Sequence, residues 1–332
     1  MNKNNIKKIK VISLFSGCGG ADLGIKGGFT YLNTRYSCNP VEIVHASDIN
    51  FKAVGTYNLN FENKAIVEDV NNLCFQKGDA NVIIGGFPCQ SFSTINPTKV
   101  PERRDNQLFW QMANIVDKVK PEVFIAENVK GFYRLSNGKY FELARNEFVK
   151  IGYNVSHKLL DASDYGVPQR RERLFIVGIR EDLRKSYHFP QPIFLSRWNE
   201  NLKTPLKAVI DSLIPPDDKY YFSRRAVEGV KRAKPNMKRA LAQNLSSPCL
   251  TITSHLAKVS LNSRDPVLLV DPEKELYRRF TPREAARIQS FPDNFNFSGS
   301  EADAYRQIGN AVPPVVMWHV FRALSNQVFI NR

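Results

Sequence analysis

At 332 residues, with 42% hydrophobic and 24% charged side chains, the chain can bury one sizeable core and still carry a second, smaller lobe. No apolar run approaches the roughly 20 residues that span a bilayer, and the basic start MNKNNIKKIK leads straight into a strand-like run; the reading therefore excludes a membrane span or secretory signal and expects a cytoplasmic chain. Five cysteines without a CxxC pair argue against a disulfide framework or structural zinc, no metal is expected, and a net charge of +15 points to a polyanionic partner, nucleic acid ahead of an anionic membrane surface.

Taken in chain order, short apolar runs at 11–15, 42–46, 82–84, 123–126 and 174–177 read as strands. Amphipathic stretches at 106–119 and 141–151 read as helices between them. Strands separated by helix-length segments predict an α/β fold with a mostly parallel sheet covered on both faces, whose ligands collect at the carboxyl ends of the strands. From 181 the texture changes: prolines are frequent, periodicity weakens, and seven basic residues between 224 and 239, Arg224 and Arg225 among them, face one acidic residue. The expected division is a first lobe at 1–180, a loop-rich second lobe at 181–276, and a return segment at 277–332 that completes the first. In that return segment Thr281 followed by Pro282 marks a helix start, and residues 315–329 form an apolar helix that packs on the first lobe.

Two loops attract chemistry. LFSGCGGADLG follows the first strand, and its glycines at 17, 19, 20 and 24 would let backbone approach a ligand at a helix start. Asp22 stands where a dinucleotide fingerprint has its third glycine, and its charge suits a ligand with a positive centre, such as S-adenosylmethionine, better than a pyrophosphate. Asp48 at a strand end is placed for ribose hydroxyls, and Asp69 could accept from an adenine amine; the glycine loop by itself equally fits a plain tight turn. GGFPCQSFS follows the strand at 82–84, with Cys89 after a proline at the mouth of a loop; taken alone, that cysteine is either a small buried hydrophobe or a nucleophile.

Six blocks in order, LFSGCGG, GGFPCQSFS, ENVKG, YGVPQRRERLFIVG, RRFTPREAARIQSFPD and YRQIGNAVPP, make the chain resemble the DNA (cytosine-5) methyltransferases, of the bacterial restriction–modification type. The resemblance implies a Rossmann-like S-adenosylmethionine-dependent methyltransferase sheet, with residues 181–276 as the target-recognition domain. It implies that Cys89 is the nucleophile adding to C6 of a cytosine flipped out of double-stranded DNA, in a cationic neighbourhood that lowers its thiol pKa. Glu127 would contact N3 and the exocyclic amine, Arg173 the cytosine O2, and Arg171 the nucleophile loop and phosphate backbone. Gln169 and Glu172 would support them. Phe15, Gly17, Gly19, Asp48, Ile49, Asp69, Val70, Pro88, Leu108, Asn310 and Ala311 would bind S-adenosylmethionine and release S-adenosylhomocysteine. Ser91 and Ser93, in the loop after the nucleophile, and Arg224, Arg225, Thr251 and Thr253 would meet the DNA.

The same resemblance implies a monomer in the bacterial nucleoid, with a restriction endonuclease as its functional partner. Three rivals are weighed against this reading. The tRNA-methylating branch of the family carries a Cys-Phe-Thr signature that is not seen here. A catalytically dead nucleic-acid scaffold conflicts with the presence of every residue the chemistry needs, and a nicotinamide dehydrogenase conflicts with Asp22 and the PCQ loop.

Overall fold

Seven strands form one sheet: β1 Ile9–Leu14, β2 Val41–Asp48, β3 Ile66–Val67, β4 Val82–Gly85, β5 Val123–Val129, β6 Tyr153–Asp161 and β7 Glu172–Arg180. The computed structural model describes residues 8–88, 108–194, 202–210, 217–232, 242–258 and 266–329. The strand order is β3-β2-β1-β4-β5-β7-β6. Strands β3 through β5 run parallel, as the alternation of strands and helices predicts. The sheet is thus mostly parallel, as expected, and the last two positions make it mixed, because β7 is antiparallel to both β5 and β6. Only ten residues link β6 to β7, too few for the helical crossover that a parallel pair requires.

The strands alternate their side chains between two apolar layers. Val11, Val82, Ile84, Val123 and Ile125 face one layer, which includes Ile25 of α1 (Gly20–Lys26), Tyr57 of α2 (Phe51–Asn60) and Val320 of α9 (Pro314–Val328). Ile12, Leu14, Ile83, Phe124 and Ala126 face the other, against Phe109 and Met112 of α3 (Leu108–Val119) and Phe148 of α5 (Lys139–Lys150). The short α4 (Lys130–Arg134) adds Phe132 to that second layer. Within it, Phe124 stacks on Phe148 at 4.1 Å between ring centres.

The return segment behaves as its sequence predicts. Thr281 caps α7 (Pro282–Ile288), accepting from the Glu284 amide at 3.2 Å while Glu284 accepts from the Thr281 amide at 2.8 Å. Glu284 also takes a forked pair of hydrogen bonds from the buried Arg278, both at 2.8 Å. After α8 (Glu301–Asn310), α9 crosses α1 so closely that a Cβ on Gly24 would stand 2.6 Å from the Pro314 carbonyl oxygen. Only glycine allows that approach.

Leu206, Val209, Cys249, Ile252, Leu256 and Leu268 belong to the same apolar layer as α1 and α9, so among the described residues the 181–276 segment extends the first lobe's core. Cys249–Leu250 even pairs in parallel with Gln169–Arg170. The boundary expected after residue 276 falls inside a strand, Leu276–Arg278, which pairs with Leu268–Asp271. The helix α6 (Arg224–Arg232) begins with Arg224 and Arg225 exposed. No helix among the described residues is long and apolar enough to cross a membrane.

Candidate active site

A cavity of about 590 Å³ opens at the carboxyl ends of β1, β2, β4 and β5, where the strand order reverses about β1. That is where open α/β sheets bind ligands, and the volume is that of a small-molecule site. Its first half is built by the turn after β1. Phe15 leaves the strand with φ of 54°, a left-handed conformation rare outside glycine, and its ring packs close to Gly85. Gly17, also left-handed at φ 54°, has nothing within 4 Å of where a Cβ would stand, so this backbone lies open to the cavity. Its amide donates to Asp48 Oδ2 at 2.9 Å, and the Asn50 amide donates to the other oxygen at 2.8 Å. Burial nonetheless holds the Asp48 carboxyl above its usual range.

Ile49, 72% exposed, Asp69 and Val70 continue this wall, and Pro88, Leu108, Asn310 and Ala311 complete the lining. Asp69 caps a short helical turn, with Oδ1 accepting from the Asn71 amide at 2.9 Å. Two expectations about the glycine loop are corrected. Gly19 does not line the cavity; it stands at the N-cap of α1, and a Cβ there would meet the Phe61 ring at 2.4 Å. Gly20 does line the cavity, and it also packs so closely that a Cβ there would meet the Val312 carbonyl oxygen at 2.5 Å. Asp22 reaches the lining but is fully buried, and both of its oxygens are occupied, by Ser13 Oγ at 3.0 Å and Tyr57 OH at 3.1 Å. Burial lifts its carboxyl to about 6, opposed by those two hydroxyls, so it is not a free charge aimed at a cationic ligand.

The second half of the cavity holds an acid and two arginines. Glu127, near the end of β5, faces Arg173 on antiparallel β7, with Nε to Oε1 at 3.3 Å and both side chains about one-sixth exposed. Burial pushes the Glu127 carboxyl up, while Arg173 and then Arg171 pull it down. Glu127 Oε2 would lie 3.3 Å from a Cβ on Gly86, so the acid sits against the loop that leads to residue 89. Asn128 fixes that loop by donating to the Phe87 carbonyl at 2.9 Å. Cys89, Ser91 and Ser93 lie outside the described residues.

Arg171 is only 2% exposed, and its guanidinium donates to the carbonyls of Ile252 at 3.1 Å, Gly309 at 2.8 Å and Ala311 at 3.0 Å. This departs from the expected phosphate contact: three carbonyls hold the group inside, where it ties the 181–276 segment to the return segment. Gln169 works beside it, donating to Gln289 Oε1 at 2.6 Å and accepting from the Ile252 amide at 3.1 Å. Glu172 pairs with Lys130. Thr251 is corrected in the same way, because its hydroxyl donates inward to the Arg170 carbonyl at 2.6 Å. Thr253 accepts from the His255 amide at 3.1 Å.

Sequence reasoning missed Asn128, although ENV carries it, and it missed Ser16, Arg306 and Gln307, which also line the cavity. The other cysteines take the inert reading or lie away from the cavity. Cys249 is buried, Cys38 and Cys74 are exposed elsewhere, and burial pushes the Cys18 thiol up to about 12.

Comparison with known proteins agrees with this arrangement. The C-5 cytosine-specific DNA methylase family matches residues 9–326. The Type II methyltransferase M.FnuDI of Fusobacterium nucleatum is 34% identical over 325 residues, covering 92% of this chain and 91% of that protein. M.NlaX of Neisseria lactamica is 31% identical, covering 96% of each chain. Among solved structures, the Dnmt2 methyltransferase of S. pombe superposes with a TM-score of 0.73 at 22% identity, covering 97% of this chain and 100% of that one, a likeness of fold. The chain therefore belongs to the C-5 cytosine-specific DNA methylase family and is a DNA cytosine methyltransferase.

Proposed function

We propose that the chain transfers a methyl group from S-adenosylmethionine to C5 of a cytosine turned out of double-stranded DNA, through a covalent adduct of Cys89. The observation that carries this reading is the meeting, in one cavity, of the Glu127–Arg173 pair, the loop leading to Cys89, and the wall formed by Phe15, Gly17 and Asp48. That wall fits a nucleoside-bearing ligand: the backbone at Gly17 is open, a carboxylate stands at a strand end, and Ile49 and Val70 offer apolar faces. Asp48 would hold the ribose and Asp69 the adenine.

S-adenosylmethionine supplies a methyl group already activated on a sulfonium. The protein must make cytosine C5 nucleophilic. The Cys89 thiolate adds to C6, and the electron pair reaches C5, which takes the methyl. Loss of the C5 proton and expulsion of the sulfur then restore the ring. Glu127 supports the addition by presenting a protonated carboxyl to N3, a state favoured by its burial. Arg173 orients Glu127 and reaches O2. Arg171 holds the frame behind them. Residues 181–276 read the target, with Arg224, Arg225 and Thr253 on the DNA side and Ser91 and Ser93 in the loop that follows the nucleophile. The Type II relatives support a modification enzyme of a restriction–modification system; the reading makes it a monomer, paired in function with an endonuclease.

A labelled-methyl transfer assay on double-stranded DNA and on tRNA tests this directly. Methyl groups should enter DNA only, and Cys89→Ser should abolish transfer while leaving DNA binding. Turnover by that variant, or transfer to tRNA alone, would refute the proposal.

A further inference from the structure

The cavity lining contains polar groups that the reaction above does not use. Helix α8 runs beside the glycine loop, with Cys18 Sγ against the Gln307 carbonyl at 3.9 Å. Arg306 and Gln307 both reach the cavity from this helix. The Arg306 side chain is 55% exposed, and among the described residues its one ion pair is a long one, 3.9 Å to Asp303 Oδ1. Asp303 is already satisfied by Lys52 at 2.7 Å and by the Ser300 hydroxyl at 2.6 Å, so it holds Arg306 weakly. The other arginines of the lining are engaged: Arg171 with three carbonyls, Arg173 with Glu127. Among the described residues of the lining, Arg306 is thus the arginine without a close partner, in a cavity that also carries the carboxylates of Asp48, Glu68 and Asp69.

The lining also holds two buried acceptors. Ser16 Oγ and Gln307 Oε1 have no hydrogen-bond partner among the described residues, and both residues line the cavity. A buried polar atom left unpaired costs about 1–3 kcal/mol, and one beside a cavity is a place for a ligand to make the missing bond.

We propose that Arg306 binds the α-carboxylate of the methyl donor's amino-acid end, while Gln307 Oε1 and Ser16 Oγ accept from its α-ammonium. The inference rests on the methyl-donor reading of the cavity and adds what recognises the amino-acid end. It predicts discrimination between S-adenosylhomocysteine and 5′-methylthioadenosine, which shares the nucleoside and thioether but lacks the amino-acid end.

Isothermal titration of the full chain with both compounds tests it. For Arg306→Gln, affinity for S-adenosylhomocysteine should fall about tenfold, the loss expected for one charge-assisted contact. Affinity for 5′-methylthioadenosine should stay within about twofold, and Arg306→Lys should recover part of the loss. Gln307→Ala should show the same selectivity. Equal losses for the two compounds, or no loss for either, would overturn the assignment, the latter leaving Arg306 to DNA phosphates. Failure of the unsubstituted protein to bind S-adenosylhomocysteine would instead refute the methyl-donor reading itself.

Discussion

Arg171→Ala removes a guanidinium that joins three parts of the chain: the residue just before strand β7, the 181–276 segment at Ile252 and the return segment at Gly309 and Ala311. The Ala311 carbonyl keeps a second donor, Gln289 Nε2 at 2.6 Å, so the loss falls on the carbonyls of Ile252 and Gly309. Each buried acceptor left without a partner costs about 1–3 kcal/mol, giving roughly 2–6 kcal/mol for the two. Relief from burying the guanidinium offsets part of this, because taking that charge out of water costs several kcal/mol. The expected net destabilisation is about 3 kcal/mol. Arg171→Lys, which can serve one of the carbonyls but not all three, should cost roughly half as much. Urea unfolding followed by tryptophan fluorescence reads both values, with the slope checked so that a change in midpoint reports stability. A loss below about 1 kcal/mol in the alanine variant would refute the view that this group clamps the frame of the site.

Other consequences follow from the buried acids. Asp22 is held near pH 6 when folded, against 3.8 for the unfolded group, so between those values the native state keeps a proton that the unfolded state releases. Its contribution is full below about pH 4 and is lost as pH rises through 6; relative to Asp22→Asn, the unsubstituted protein should lose about 3 kcal/mol across that window in denaturant titrations. A parallel pH profile for the two proteins would contradict this. Glu127→Gln keeps the side chain's shape but removes the acid, and single-turnover methyl transfer should slow by about 10²–10⁴-fold with S-adenosylhomocysteine affinity retained. Glu284→Gln breaks both the forked bond to Arg278 and the charge at the α7 N-terminus, and should cost about 3 kcal/mol in urea unfolding.

The strands at the centre of the sheet were legible because each is an unbroken apolar run between helix-length segments, as at 82–84 and 123–126. Strand β6 was not, since YNVSHKLLD lies at the sheet edge with several half-exposed positions and reads as polar. The two-residue β3 gives no pattern at all. Legibility of the site divided in the same way. Asp48, Asp69 and Glu127 follow strand ends or short apolar runs, which local reading can find, and they do line the cavity. The three carbonyls that hold Arg171 were not legible, because they are at least 81 residues away in sequence. Gly19, Gly20 and Asp22 sit in a loop whose glycines suggested a ligand, yet their neighbours are Phe61, Val312 and Tyr57. Whether a glycine faces a ligand or another helix is decided by packing that only the folded chain displays. In the 181–276 segment the irregular, proline-rich sequence hid the apolar contacts that Leu206, Cys249 and Ile252 make with the main core.

The central claim is covalent attack by one sulfur. Double-stranded DNA carrying 5-fluorocytosine at the target position removes the proton that must leave C5, so the adduct should persist after methyl transfer. Incubation with S-adenosylmethionine, proteolysis and mass spectrometry should find the modified, methylated base attached to the peptide containing Cys89. Methylation of unsubstituted DNA without any such adduct, or an adduct on a different cysteine, would contradict the account.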